Sequence, residues 1–344
     1  MNKFDVRRSV AHFSFLLMLS AFFIAGEARA QLSVAAAGTT YTVTFDATMA
    51  GVNNGVFAGT GFQATPGVGR LDSDAWASTG MSDGSLAFGG ANLAGDYARG
   101  TTAPGNAAVT TGGFYSFGGG SIAGRALGFQ PTLPDFTPGT LTMRIKNNTG
   151  LNITAFDLAY NLHIRNDGNF ANSLNCAWSA DNVTYTNVPA LAHTSIAAAG
   201  AAVFVANAKS ATVTGFVIAP GDFFYVRWTG DDVSGSGSRD EFALDDIAVT
   251  GHARTALRFV STTSTANEDG VSHLIAVGIV NASVVNPTTV DVALTSGDAT
   301  RIGNYTTQTL SWPANNTANQ NLSITLSDNG ACDGSLTRAG RQGF

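Results

Sequence analysis

The sequence predicts an all-β protein of two β-sandwich domains, the first jelly-roll-like. Three observations carry that prediction. After residue 30 helical periodicity is nearly absent, and short runs rich in Val, Thr, Ile, Phe and Tyr recur between Gly, Asn and Asp turns. Most of these runs alternate apolar with polar side chains, which makes one sheet face apolar and the other wet, as two packed antiparallel sheets require. Composition agrees, because of 344 residues 44% are apolar and 40 are glycine but only 12% are charged. That is about half of the roughly 25% usual in soluble domains, so the polar surface must come from Ser, Thr, Asn and Gly, which suit strands and turns.

Taken in order, residues 1–30 read as a secretory signal. Lys3, Arg7 and Arg8 form a basic start, residues 13–26 (FSFLLMLSAFFIAG) an apolar core, and Ala28-Arg29-Ala30 a small-residue cleavage site. The core is shorter than the roughly 20 residues a bilayer span needs, and no later stretch is apolar for long enough. The expectation is export to the cell surface or medium, with no membrane span after cleavage. Residues 31–251 follow as the first sandwich, with strands expected at 41–45, 141–146, 153–160, 211–218, 223–228 and 242–250. Between 51 and 128 the pattern loosens into a glycine-dense stretch. Aromatic residues spaced through it (Phe57, Phe62, Trp76, Phe88, Tyr97, Phe114, Tyr115 and Phe117) predict ordered loops pinned to the sandwich. Residues 252–258 read as a linker, and strands at 274–280, 289–294 and 321–326 place a second domain at 259–344.

Charge excludes one class of partner. The formal net charge is −6, and the chain beyond residue 30 retains only Lys146 and Lys209 as lysines. An acidic chain of this kind lacks the basic footprint that binds a phosphate backbone, so nucleic acid is not an expected ligand. The two cysteines, Cys176 and Cys332, could pair in an oxidising compartment but fall in different predicted domains, where two separate thiols are the simpler reading.

Enzyme signatures are missing. His163, His193, His252 and His273 are widely separated, outside any metal-binding or HExxH grouping, and read as surface or half-buried residues. No serine in a G-x-S-x-G elbow follows an expected strand, and no phosphate loop with GKS or GKT occurs. The densest chemistry is a run of carboxylates, Asp231, Asp232, Asp240, Glu241, Asp245 and Asp246, interrupted by SGSGS. Like charges so close repel unless solvated or bridged, and calcium takes six to eight oxygens from such loops. Structural calcium is therefore the one cofactor the residues suggest. Alternation places Asp245 and Asp246 on opposite faces, so one points inward and needs a partner: Arg227, Arg239 or a metal. For a sugar-binding face, where a flat ring stacks on a sugar, Trp76, Tyr97, Tyr115, Tyr160 and Trp178 are candidates, although core packing is the commoner fate of aromatics at alternate positions. Trp228 and Trp312 are assigned to the core.

Two stretches carry family resemblances. The segments 69–76 (GRLDSDAW), 79–90 (TGMSDGSLAFGG), 110–118 (TTGGFYSFG), 136–150 (FTPGTLTMRIKNNTG) and 178–188 (WSADNVTYTNV) resemble an N-terminal module of exported bacterial proteins, some of which also carry nuclease or Calx-beta domains; 225–251 is similar to the last strands of secreted lectin-like jelly rolls. Residues 259–334 resemble a Calx-beta domain, an immunoglobulin-like sandwich, through Phe259, the turn 267–270 (NEDG), 288–294 (TTVDVAL), 297–305 (GDATRIGNY), 310–315 (LSWPAN) and 322–330 (LSITLSDNG). This resemblance implies a second calcium site carried by Glu268, Asp328 and Asp333. Asn304 stands where the family usually has Asp, which lowers the expected affinity, and the tail 335–344 (SLTRAGRQGF) replaces the expected last strand, so that an incomplete domain is predicted. The functional expectation is a secreted, non-catalytic binding or adhesion protein for an extracellular protein or glycan. The alternatives are an accessory region of an exported nuclease or hydrolase, and a carbohydrate-binding lectin-like module.

Overall fold

The computed structural model describes residues 31–102, 109–266, 270–282, 286–326 and 338–339. Among them the elements are strands and three short 3-10 turns. Eleven strands build the main sandwich: β1 (Leu32–Val34), β2 (Thr40–Val43), β3 (Trp76–Thr79), β4 (Gly113–Gly119), β5 (Ile122–Gln130), β6 (Gly139–Asn147), β7 (Ile153–Arg165), β8 (Phe170–Ser179), β9 (Val205–Ile218), β10 (Phe223–Gly235) and β11 (Glu241–Ala253). One sheet runs β1-β6-β10-β8, extended by Thr186–Asn187, with β3 also on β6; the other runs β9-β7-β11-β5-β4, with β2 on β11. From β6 to β11 every successive strand changes sheet, the jelly-roll manner of weaving two sheets together. The all-β sandwich prediction is borne out.

Alternation explains where the core sits. Across the first sheet Leu141 pairs with Trp228 and Cys176 with Trp228 on its other side, while Thr142 and Ala177 flank Arg227. The first set is buried between the sheets, where Trp228 stacks on Trp76 with ring centroids 6.4 Å apart and meets Tyr160 edge-on at 5.7 Å. Phe156 and Phe224 close the far end of this layer at 4.3 Å. Each such ring removes on the order of 2–3 kcal/mol of apolar surface from water.

The glycine-dense stretch is ordered over the described residues and adds a small sheet of Asn53–Asn54, Arg70–Asp72, Phe62–Gln63 and Ala91–Asn92. Seven of its eight aromatic anchors are buried; Phe88 is not. Trp76 Nε1 donates to the Val52 carbonyl at 3.1 Å, tying the stretch to the core. Gly59 shows why small residues are needed here. It adopts φ +64°, and a Cβ on it would lie 2.3 Å from the Gly100 carbonyl oxygen. The backbones of Gly59 and Gly100 bond directly there, at 2.8 Å.

The linker is shorter than the sequence suggests. β11 runs through Ala253 and β12 (Ala256–Phe259) begins three residues on, so within 252–258 only Arg254 and Thr255 lie outside strands. β13 (Ser272–Val280), β14 (Thr288–Val292), β15 (Gln308–Trp312) and β16 (Gln320–Thr325) follow, forming a three-stranded sheet β12-β13-β16 and a β14-β15 pair around Val277, Ile279, Leu310 and Trp312. In the tail, Arg338–Ala339 pairs with Thr263–Ser264. Truncating Trp228 to Ala should remove about 3–5 kcal/mol of stability, because Trp76 and Tyr160 would line the resulting void; urea unfolding followed by far-UV circular dichroism measures it.

Candidate functional site

The carboxylate run does not converge. Asp231 is exposed and caps its own neighbour, accepting from the Asp232 amide at 2.8 Å. Asp232 forms a two-pronged pair with Arg239 (2.6 and 2.5 Å), whose guanidinium lies 4.5 Å over the Phe170 ring. Asp240 is buried, accepts from the Gly168 amide at 3.0 Å, and is pushed up by burial. Glu241 is buried as well, accepting from the Val109 amide and from Arg165, each at 3.1 Å; Arg165 also pairs with Asp167 at 2.8 Å. Burial outweighs Arg165 and lifts Glu241 to about 8.

Asp245 is the buried member of the next pair and Asp246 the exposed one, although a bulge interrupts the alternation here, so that Leu244 and Ile247, three residues apart, both join the core. The partner of Asp245 is neither of the arginines considered from sequence: His163 Nε2 stands 3.8 Å from its carboxylate, Arg239 is spent on Asp232, and Arg227 faces Tyr185. Asp246 takes φ +50° beside an irregularity in the β7-β11 register and accepts from Asn161 Nδ2 at 2.9 Å. Among the described residues no group of three His, Cys, Asp or Glu side chains is placed to hold a metal ion. Glu268, Asp328 and Asp333 lie outside the described residues, as does Cys332. Cys176 is a buried free thiol that burial pushes up to about 12.

One histidine departs from the surface or half-buried reading. His163 is buried, with Nδ1 on the Ser121 hydroxyl at 2.7 Å and Nε2 facing Asp245. Burial lowers the imidazole and raises Asp245 to about 7. At 3.8 Å the carboxyl group does not make the short bond that orients a catalytic imidazole. His252 is bonded to Asp157 at 2.7 Å on an exposed strand surface.

The five rings considered for a sugar-binding face take the commoner fate of aromatics at alternate positions, which is core packing. Trp76, Tyr97, Tyr115 and Tyr160 are buried and Trp178 packs against the core. The outer face of the first sheet instead gathers Phe88, Tyr185, Phe223 and Tyr225, all half-buried, with Arg144, Lys146 and Arg227 between them. The register dictates this: Lys146 pairs with Phe223, Arg144 with Tyr225 and Thr142 with Arg227. The Arg144 guanidinium lies between the rings of Phe88 (4.6 Å) and Phe223 (4.7 Å), and its Nε donates to the Asp74 carbonyl at 2.9 Å. Arg227 lies 3.7 Å over Tyr185, and its Nε donates to the Thr142 hydroxyl at 2.9 Å. Tyr185 is fixed in turn by its hydroxyl on Asn182 Oδ1 at 2.6 Å.

Beside Arg227 the same face sinks into a groove of about 340 Å³ lined by Asn175, Ala177, Asn187, Val188, Pro189 and Thr229. Ala177 is the cross-strand partner of Arg227, and Thr229 is the next outward residue on β10, so groove and ring-cation surface are continuous. The signal available in the sequence was the alternation in 223–228: assigning Phe224, Val226 and Trp228 inward forces Phe223, Tyr225 and Arg227 outward.

No family model matches the chain, and no curated protein matches it. Among solved structures it is similar to a carbohydrate-binding module specific for non-crystalline cellulose, at TM-score 0.28 and 11% identity, covering 40% of this chain and 80% of that one. A likeness of that size carries no argument about a ligand.

The pH dependence of stability follows from the buried acids. Asp245 near 7 and Asp72 near 6 both titrate above the 3.8 of an unfolded Asp, so they favour the folded state fully below pH 4 and lose that contribution as pH rises through 6–7. His163 is lowered and acts oppositely, losing stability as pH falls below its unfolded value of 6.5. Asp245→Asn isolates the first effect: relative to the natural chain it should gain roughly 2 kcal/mol between pH 5 and pH 8, at about 1.36 kcal/mol per pKa unit. Denaturant midpoints at the two pH values check this.

Proposed function

We propose that this is an exported, non-catalytic binding protein that attaches to polysaccharide through the outer face of its first sheet. The supporting observation is the placement of four aromatic rings on the solvent side of a sheet whose inner side already supplies a complete core. Half-buried rings interleaved with Arg144, Lys146 and Arg227 on the solvent side of a sheet offer apolar edges and polar groups together, as a binding surface requires.

The chemistry suits a sugar chain. Ring edges and faces offer apolar contact to the C–H side of a pyranose, while guanidinium, amide and hydroxyl groups of Arg227, Asn175, Asn187 and Thr229 offer hydrogen-bonding partners to hydroxyls. The rings are held before any ligand arrives, through Arg144 and Asn182, so little side-chain entropy remains to be lost on binding. Adhesion to a glycan-coated surface is the consequence of such a site on an exported chain.

The double substitution Phe223→Ala, Tyr225→Ala tests the reading. Native affinity electrophoresis in gels cast with a panel of neutral and acidic polysaccharides should show the natural chain retarded by at least one polymer. The variant should lose at least tenfold in affinity, about 1.4 kcal/mol, with an unchanged melting temperature. Free migration of the natural chain through every gel would end the proposal.

A further inference from the structure

Resting on the glycan reading above, we infer that the groove takes a polysaccharide containing uronic acid, with a sugar carboxylate seated on the Arg227 guanidinium. The arginines of the described residues divide into those paired with a carboxylate and those, Arg70 and Arg227 among them, with none within 4 Å; of the second group Arg227 is the one on the ring-bearing face. Arg99, Arg144, Arg165 and Arg239 each have a carboxylate within 4 Å. Among the described residues Arg227 has none, although it is half-buried and belongs to a chain of net charge −6. Its partners are neutral: the Tyr185 ring at 3.7 Å, the Thr142 hydroxyl at 2.9 Å and the Asn182 side-chain oxygen at 3.5 Å. These fix the plane of the guanidinium without neutralising it. A planar, pre-oriented cation at the end of a groove matches the two parallel N–H···O bonds of a carboxylate.

The acidic groups around this face are placed so as not to compete. Asp74 faces Arg144, with 3.8 Å between them. Asp181 is taken up by its own turn, accepting from the Ser179 hydroxyl and the Val183 and Thr184 amides, each at 2.8 Å. Asp222 lies next to Phe223, at the opposite end of β10 from the groove. Lys146 provides a second cation on the same face. By strand register it sits level with Phe223, two outward positions from Arg227. At about 3.4 Å per residue that is roughly 13 Å along the sheet, a separation that a polymer of repeated acidic sugars can bridge and a single monosaccharide cannot.

Isothermal titration of the natural chain with polygalacturonate, the same polymer after carboxyl reduction, dextran sulfate and a neutral β-glucan tests this. The expected order places polygalacturonate at least tenfold tighter than its carboxyl-reduced form. Arg227→Gln and Arg227→Lys should both lose at least tenfold toward polygalacturonate, since lysine keeps the charge but not the paired donors, and only a few-fold toward neutral glucan, which loses one hydroxyl partner and no ion pair. Equal binding of the native and carboxyl-reduced polymers would overturn the carboxylate assignment and leave glycan binding standing. Dextran sulfate binding as tightly as polygalacturonate, with full activity in Arg227→Lys, would show diffuse charge attraction and overturn it too. Failure of all four polymers would remove both readings. Matching melting curves establish that the variants fold; if Arg227→Gln does not, the comparison of polymers on the natural chain still decides.

Discussion

The two-residue period of the strands in the first sheet is the constraint on which this structure depends. Trp228, Val226 and Phe224 descend from β10 into the space between the sheets and meet Trp76, Tyr160 and Phe156 there. A strand that commits three large side chains to one face must present the intervening ones to the other. Arg227, Tyr225 and Phe223 are raised to solvent by the same backbone geometry that buries their neighbours. The core and the outer ring-cation face are two sides of one strand, so a slip of register by one residue would exchange them and abolish both.

The ring-cation surface is also a product of convergence from distant parts of the chain. Phe88 comes from the glycine-dense stretch, Arg144 from β6, Tyr185 from the turn after β8, and Phe223, Tyr225 and Arg227 from β10. Glycines permit the stretch carrying Phe88 to fold closely on itself, as the direct backbone contact of Gly59 with Gly100 illustrates. The surplus of glycine in the composition is thus linked to the site through the path of this segment.

Charge is managed locally. The acids that crowd the sequence between 231 and 246 separate into an exposed residue, a two-pronged Asp232–Arg239 pair, an Arg165-centred trio with Asp167 and Glu241, and a neutral-leaning contact of Asp245 with His163. The turn between β10 and β11 and the two faces of those strands disperse them, and Asp232, Asp240, Glu241 and Asp246 find partners on nearby strands and loops. Proximity along the chain does not become proximity in space, because neighbouring residues on a strand point in opposite directions.

The sequence by itself determined six of the eleven strands of the sandwich, the inward place of Trp228 and Trp312, and the anchoring of the glycine-dense stretch by its aromatics. These are consequences of local pattern, of burial and of turn chemistry, which a single chain segment expresses alone. Only the tertiary structure decided that Phe88 lies outside the core, that His163 is the neighbour of Asp245, and that Arg227 stands on Tyr185 at the mouth of a groove. Each of those facts depends on which strands lie side by side and in what register, and strand pairing is set by the packing of the whole sandwich, which no local pattern specifies.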